Sequence, residues 1–232
     1  MGLIGEGLLE ALRLLVTGDP EVWRITWLSL QISGAATLLS LLAGIPAGAA
    51  LALSRFPGRG FVVSLVNTGM GLPPVVVGLF VTILLWRNGV VGFLELLYTP
   101  TAMVIGQFVI AAPIVTGLTM AAVQQVPPAF RLQMLGLGAS RPQMLWVLLK
   151  EARLPMLAAV MAGFGGVISE VGASMMLGGN IRGQTRVLTT ATVLETGKGN
   201  FDVAIALSVI LLLITFLVNW ALTWIQQQGA RR

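Results

Sequence analysis

The sequence predicts an all-α polytopic membrane protein with five transmembrane helices and an N-terminal amphipathic helix. Three observations carry that prediction. Apolar residues form 56% of the 232-residue chain against 10% charged residues, a balance that belongs to membrane proteins. Stretches with at most one charged residue recur at lengths that suit a helix of roughly 20 residues crossing a bilayer. Arg and Lys collect in alternate loops between those stretches, as they do when every second loop faces the cytoplasm.

The first element is the amphipathic one. Between Gly2 and Gly18, Glu6, Glu10 and Arg13 fall on one helical face while Leu8, Leu9, Leu12, Leu15 and Val16 fill most of the rest. This pattern predicts a helix lying on a membrane surface. It has neither the basic start nor the small-residue cleavage site of a signal peptide, so it is expected to stay in the mature protein. The spans follow at Thr26–Leu53, Phe61–Trp86, Thr101–Val123, Pro155–Leu177 and Val203–Ile225. The chain therefore divides into an amphipathic segment (1–24), a membrane domain (25–226) that contains a cytoplasmic loop (124–154), and a cytoplasmic tail (227–232).

Orientation is read from the loops. With the N-terminus outside, the inside holds Arg55, Arg59, Arg131, Arg141, Lys150, Arg153, Arg231 and Arg232, opposed by Glu151 alone. The outside then mixes Glu6, Glu10, Asp19, Glu21, Glu95, Glu195 and Asp202 with Arg13, Arg24, Arg87, Arg182, Arg186 and Lys198. This bias predicts a multi-pass protein of the cytoplasmic (inner) membrane, N-terminus outside and C-terminus inside, with lipid as its main solvent. The basic residues are too scattered for a nucleic-acid patch.

Several function classes lose their chemistry at this point. The chain has no Cys and no His, so disulfides, thiolate sites and the commonest metal ligand and general base are missing. An intramembrane hydrolase would need a Ser–His pair, paired aspartates within spans or a zinc site, and Asp19 and Asp202 both lie outside the spans. No catalytic, cofactor-binding or metal site is expected. The stretch GGNIRGQTR, Gly178 to Arg186, places Gly178, Gly183 and Thr185 where a phosphate-binding G-x-x-x-x-G-K-[ST] loop wants them. Gln184 stands where that loop needs its lysine. The stretch also follows a membrane helix instead of a strand and faces outward, so the nucleotide reading is rejected.

The segment PPAFRLQMLGLGASRPQMLWVLLKEARLP between the third and fourth spans predicts two short helices projecting on the cytoplasmic side. Gly138 is placed to end the first, and Ser140 with Gln143 forms a capping box for the second, with Pro142 tolerated in its first turn. The plain alternative is an ordinary basic loop. The stretch Leu137 to Ser140, followed by a basic amphipathic run ending in Leu154-Pro155, resembles the coupling loop of ABC importer permeases. It departs from that pattern where the family has Glu-Ala-Ala: Leu132, Gln133 and Met134 stand there, and Gly138 is retained.

RFPGRG (Arg55 to Gly60), LPPVVVGL (Leu72 to Leu79) and EVGASMMLGGNIRGQTRVLTTATVLETGKGNF (Glu170 to Phe201) extend the resemblance over nearly the whole chain from Ile25 onward. They are similar to the tungstate-type branch of the molybdate and tungstate permeases. The resemblance implies a type I ABC importer permease fold for 25–226. It also implies a homodimer, two cytoplasmic ATPase subunits that bind the ATP and Mg²⁺, and an extracytoplasmic tungstate-binding protein. Arg131, Gly138, Ala139, Ser140 and Arg141 become the residues that couple to the ATPase. Molybdate or sulfate permease is the alternative within the class; a passive channel or a non-transport membrane subunit is the alternative outside it, and the projecting helix pair speaks against that.

The residues themselves add candidate path and mouth positions. Pro73 and Pro74 remove backbone donors early in the second span, which is tolerable where backbone lines a cavity, though a kink without function remains open. Glu170 is the one ionisable residue deep in a span, costing roughly 2.5 kcal/mol or more unless paired or hydrated. It reads either as a gate or as a structural hydrogen-bond partner. Gly163, Gly165, Gly166 and Gly172 permit close helix approach, which fits a dimer core as well as a pore. Asn180, Arg182, Thr185 and Arg186, together with exposed glycine N–H groups, are expected to form an anion-friendly outer mouth; docking of the binding protein is the rival reading. Met175 and Met176 are expected to pack.

Overall fold

Asp19 starts the helix that organises the chain. Its carboxylate accepts from the Glu21 and Val22 N–H groups at 3.0 and 2.9 Å, and Pro20 supplies the fixed φ of a first helical residue. In the computed structural model, which describes residues 2–230, that helix (α2, Pro20–Leu53) runs without interruption for 34 residues. The expected boundary at 24/25 therefore falls inside a helix. Charged Glu21 and Arg24 lie on its first turns, beyond the apolar stretch by which the span was recognised.

Before it lies α1 (Leu3–Thr17), closed by Gly18 in the left-handed region at φ 67°. After it come α3 (Arg59–Met70), α4 (Pro74–Leu85), a 3₁₀ turn (Gly92–Leu94), α5 (Pro100–Gln124), α6 (Pro128–Gly136) and α7 (Arg141–Glu151). The chain ends with α8 (Arg153–Ile168), α9 (Gly172–Gly178), α10 (Leu188–Gly197) and α11 (Phe201–Ala230). The described residues contain helices and no strand, as the composition predicts. Of the expected spans, α2, α5 and α11 are single helices long and apolar enough to cross a bilayer. The other two are broken. α3 and α4 meet at 103°, and α8 and α9 at 57°. The second break is where Glu170 sits, so that residue is not inside a continuous helix. The tail expected at 227–232 is, as far as residue 230, the continuation of α11; Arg231 and Arg232 lie outside the described residues.

The core is a seam of small side chains. Ser29, Ser33, Thr37, Ser40, Gly44 and Gly48 follow one another along α2 and are all buried, chiefly against α5. Hydroxyls on this seam satisfy themselves on the preceding turn, Ser29 on Ile25 O, Thr37 on Ser33 O and Ser40 on Ala36 O, at 2.7–2.8 Å. These hydroxyls then need no water, although the Thr119 hydroxyl facing Gly48 is buried without a partner, and the two backbones come close enough for dispersion to hold them. Gly44 faces Val115 and Gly48 faces Thr119, so α2 and α5 run parallel. α11 joins them in the same sense: Leu207 and Ile210 pack near Val22 and Ile25, and Gln226 donates to Leu154 O at the opposite end.

α1 does not simply rest on a surface. Gly7 lies against Ile205 of α11, Ala11 is buried, and Leu14 and Leu15 join the cluster around Val22 and Leu207. Its small residues dock while Leu8, Leu9, Leu12 and Val16 stay exposed; the apolar arc is wide enough to serve both α11 and lipid. Exposed Trp23 and Trp27 mark one end of the bundle, and exposed Trp220 and Trp224 the other, where indole rings sit at bilayer interfaces.

Candidate functional site

Two regions stand out, and the bundle places them at different depths. The first is where the two helix breaks meet. Gly71, Leu72 and Pro73 separate α3 from α4, and Ser169, Glu170 and Val171 separate α8 from α9. A Cβ on Gly172 would come within 2.6 Å of Val75 Cγ2 and 3.4 Å of Glu170 Oε1, and one on Gly78 within 2.8 Å of Ala173 Cα. So Pro73, Pro74, Glu170 and Gly172, far apart in sequence, converge. Gly69 against Pro113 and Gly163 against Val115 set the two breaks near the middle of α5.

Glu170 has a defined structural task there. Its Oε1 accepts from Ala173 N–H at 2.9 Å, and its backbone carbonyl accepts from Thr189 Oγ1 at 3.0 Å. A half-helix that starts in the middle of a membrane exposes unpaired N–H groups, and a carboxylate three residues upstream answers one of them while matching the positive end of the helix dipole. Beside the breaks the protomer is open. Ser64, Asn67 and Thr68 of α3 are exposed in an otherwise apolar helix, and Ala158 and Ala162 of α8, with Ser169 just past its end, form an exposed row of small residues. Gly165, in the same row, has nothing within 4 Å of where a Cβ would stand. The sequence reading singled out Gly163, Gly165, Gly166 and Gly172 together; Gly163 and Gly172 are tight contacts inside the protomer, whereas Gly165 faces open space. Met176 packs on Gly78, and Met175 is part exposed.

The second region is the end that carries Glu21. Here the stretch GGNIRGQTR folds on itself. Gly179 N–H bonds to Met175 O, Ile181 N–H to Thr185 Oγ1, and the Gln184, Thr185 and Arg186 N–H groups all reach Ile181 O. The expected cradle of free glycine N–H groups is therefore mostly used up within the turn. Thr185 is fully buried, its hydroxyl donating to Gly178 O, and it does not reach the mouth to which the sequence reading assigned it. Asn180, at φ 52°, holds the turn by donating to Thr190 O at 3.3 Å and accepting from Arg186 Nε at 3.2 Å.

What remains available to an anion is guanidinium. Arg182 grips Glu21 through two nitrogens, Nε to Oε1 at 2.8 Å and Nη2 to Oε2, and this pairing holds its guanidinium above the usual arginine range. Arg186 reaches the same carboxylate at 3.5 Å. Glu195 is held below the usual carboxylate range by hydrogen bonds from Lys198 and Asn200. Sequence reasoning missed three anchors of this loop: Glu21, Ser29, whose Oγ accepts from Leu188 N–H at 2.9 Å, and Thr189 on Glu170 O. It also missed α10, which the polar run of threonines made look like loop. Only the Asp19-Pro20 start signal, which lengthens α2 to include Glu21, was available to find any of these.

At the opposite end α6 and α7 project as a pair. Gly138 N–H reaches Leu135 O and Ala139 N–H reaches Met134 O, both at 3.0 Å, with Gly138 at φ 78°. That is the glycine-dependent Schellman closure of a helix. Gln143 then accepts from Ser140 N–H and Ser140 Oγ at 2.8 Å. Leu148 is buried among Ala49, Ala122, Val123 and Ala152 and anchors the pair to α2 and α5. Leu132, Leu135, Leu137 and Trp146 are left exposed, with Arg141 exposed and Arg131 part buried beside them.

Residues 44–229 match the family described as binding-protein-dependent transport system inner membrane component. The chain belongs to that family. Full-length similarity extends to the tungstate uptake system permease protein TupB of Peptoclostridium acidaminophilum, 37% identical over 98% of this chain and 100% of that protein. A probable anion ABC transporter permease of Haloferax volcanii is 40% identical over 84% of this chain and 86% of its own. The fold is that of the permease in a solved inward-facing MetNI methionine ABC transporter, which superposes with a TM-score of 0.74 over 90% of this chain and 98% of that one at 20% identity. The family and fold together make this a multi-pass permease subunit of an ABC transporter, a class that works with ATPase and substrate-binding partners.

Proposed function

We propose that the chain is the membrane-spanning permease of an ATP-driven importer for a tetrahedral oxyanion, tungstate foremost. Two copies form the pathway, cytoplasmic ATPase subunits engage α6 and α7 and carry the ATP and Mg²⁺, and an extracytoplasmic tungstate-binding protein delivers the cargo. The N-terminus lies outside and the C-terminus inside. The observation that carries this reading is the full-length similarity to a tungstate uptake permease, joined to an arginine-bearing end that suits oxyanions. Molybdate or sulfate is the alternative cargo, since a molybdenum permease of Escherichia coli is 28% identical and a sulfate permease of Chlamydomonas reinhardtii 25% identical.

The path in this reading runs past the facing breaks, Pro73, Pro74, Glu170 and Gly172, because broken helices in transporters place their half-helix ends beside the substrate route. The coupling surface is the turn at Gly138, Ala139, Ser140 and Arg141 with Arg131 and the exposed leucines. Tungstate uptake into membrane vesicles holding the complete complex, with molybdate and sulfate as competitors, tests the assignment. Uptake of none of the three would overturn it. Replacing Arg182 and Arg186 by Ala is expected to lower uptake about tenfold while ATPase co-purification is retained; unchanged uptake would remove that end from the route.

The dimer has its own test. The open row of Ala158, Ala162, Gly165 and Ser169 invites close approach of a second helix, as small residues do in membranes. Because the chain has no cysteine, Ala162→Cys introduces a single thiol. A short bifunctional thiol reagent is expected to yield a crosslinked pair from Ala162→Cys but not from Phe216→Cys on the lipid-facing side of α11. The reverse pattern would place the two-fold axis elsewhere.

A further inference from the structure

The cavity at the Glu21 end has more positive charge than its ion pairs consume. It encloses about 390 Å³ and is lined by Arg24, Arg182, Arg186, Glu21 and Gly183, with Pro20, Ile25 and Leu28 as apolar wall. Arg24 reaches toward the turn from α2, its Nη1 standing 3.4 Å from where a Gly183 Cβ would be. Among the described residues no carboxylate lies within ion-pair distance of it, while Glu21 is shared by Arg182 and Arg186. Glu21 thus serves two guanidiniums and Arg24 has no carboxylate partner among the described residues, so the residues lining this cavity carry an excess of two positive charges, matching a tetrahedral oxyanion dianion. Glu10, Asp19 and Glu195 lie in the adjoining cavity that shares Glu21, Arg182 and Arg186.

The cations differ in how firmly they are placed. The Arg186 side chain is 16% exposed and is oriented by both oxygen atoms of Asn180, whereas the Arg182 side chain is 74% exposed. Arg186 is a fixed donor and Arg182 a movable one. A carboxylate and a tetrahedral oxyanion offer a guanidinium the same pair of oxygens, so they compete for the same fork.

We propose that this cavity is an oxyanion site held closed by a resident competitor: a doubly charged tetrahedral oxyanion binds Arg24, Arg182 and Arg186 by displacing the Glu21 carboxylate. The proposal rests on the oxyanion-permease reading and adds Arg24 as a ligand and Glu21 as the group that weakens binding. A weak outer site is what transport needs, since tight capture at the mouth would slow passage inward. Exposed guanidinium–carboxylate pairs are labile, and two pairs broken against three charge-assisted contacts formed favours the dianion only when it is locally abundant, as it is when released from a carrier.

The test uses the full chain in discs of phosphatidylcholine, without binding protein, and counts bound tungstate by equilibrium dialysis with elemental detection. The wild-type chain is expected to bind weakly and Glu21→Gln about tenfold more tightly, because the fork is no longer contested. Arg24→Gln is expected to weaken binding at least fivefold in either background. Tungstate affinity unchanged or weakened in a normally melting Glu21→Gln variant overturns the proposal. So does Arg24→Gln binding as wild type does; that variant breaks no ion pair and decides the matter even if Glu21→Gln fails to fold. Displacement of tungstate by phosphatidylglycerol added to the discs, with no displacement by sulfate, would assign the cavity to lipid headgroups and also overturn it. Vesicle uptake separates the two levels: normal uptake with no gain in Glu21→Gln sinks the competitor and leaves the importer, while absence of any oxyanion uptake sinks the importer itself.

Discussion

Gly48→Val is expected to remove the protein from the membrane almost completely. A Cβ at that position would stand 2.8 Å from Thr119 Cβ and 3.0 Å from Met120 N, with Thr116 O closer still. Two of those three atoms are backbone of α5 and cannot rotate away. Relief requires α2 and α5 to part, and the same separation undoes Gly44 against Val115 and the rest of the serine and threonine seam. Overpacking in a closed core costs about 1–3 kcal/mol when side chains can adjust; here they cannot, and a domain whose whole margin is roughly 5–15 kcal/mol loses much of it. Gly34→Ala, with nothing within 4 Å, is the matched control and is expected to behave as wild type. Abundance after membrane extraction and the melting temperature in detergent measure both. If Gly48→Val accumulates and melts like Gly34→Ala, the α2–α5 seam is not what holds the bundle together.

The sequence reading found the span that carries that seam but not the seam itself. Spans declare themselves through length and composition, which are local, so α5 and α11 lie within a few residues of where their apolar stretches placed them. Capping is local too: Ser140 with Gln143, and Gly138 with its positive φ, concern residues within five positions of each other. What the sequence concealed was settled between distant segments. Pro73-Pro74 announces a break, but a turn of 103° depends on α4 finding Ala173 and Met176 on α9. Glu170 looked like a charge stranded inside a span because nothing local says that α8 stops at Ile168; once it stops, the carboxylate is a cap. The Arg182–Glu21 pair spans 161 positions, and no pattern rule connects them. Thr185 suited a phosphate-loop motif, yet its hydroxyl closes its own turn, because a buried hydroxyl near a free carbonyl takes that partner first.

Gly138→Val is expected to leave the protein in the membrane while abolishing most of its coupling to ATP hydrolysis. The residue sits at φ 78° with open space around it, so the cost of a side chain is entirely backbone conformation. A β-branched residue in the left-handed region is strained by about 1–3 kcal/mol, enough for the α6–α7 turn to choose another shape. The pair stays attached, since Leu148 remains buried against α2 and α5, but the Ala139 bond to Met134 and the Ser140–Gln143 cap are re-aimed. Exposed Leu137 and Arg141, which the proposed coupling role sets against the ATPase, are then presented in the wrong register. A graded series isolates this cause. Asn tolerates the left-handed region and is expected to stay near wild type, Ala to be intermediate, and Val to lose substrate-stimulated ATP hydrolysis and uptake by tenfold or more. Wild-type rates from Gly138→Val at equal membrane abundance would remove the turn from coupling. A loss as large in Gly138→Asn would trace the effect to bulk at the ATPase contact instead of backbone strain.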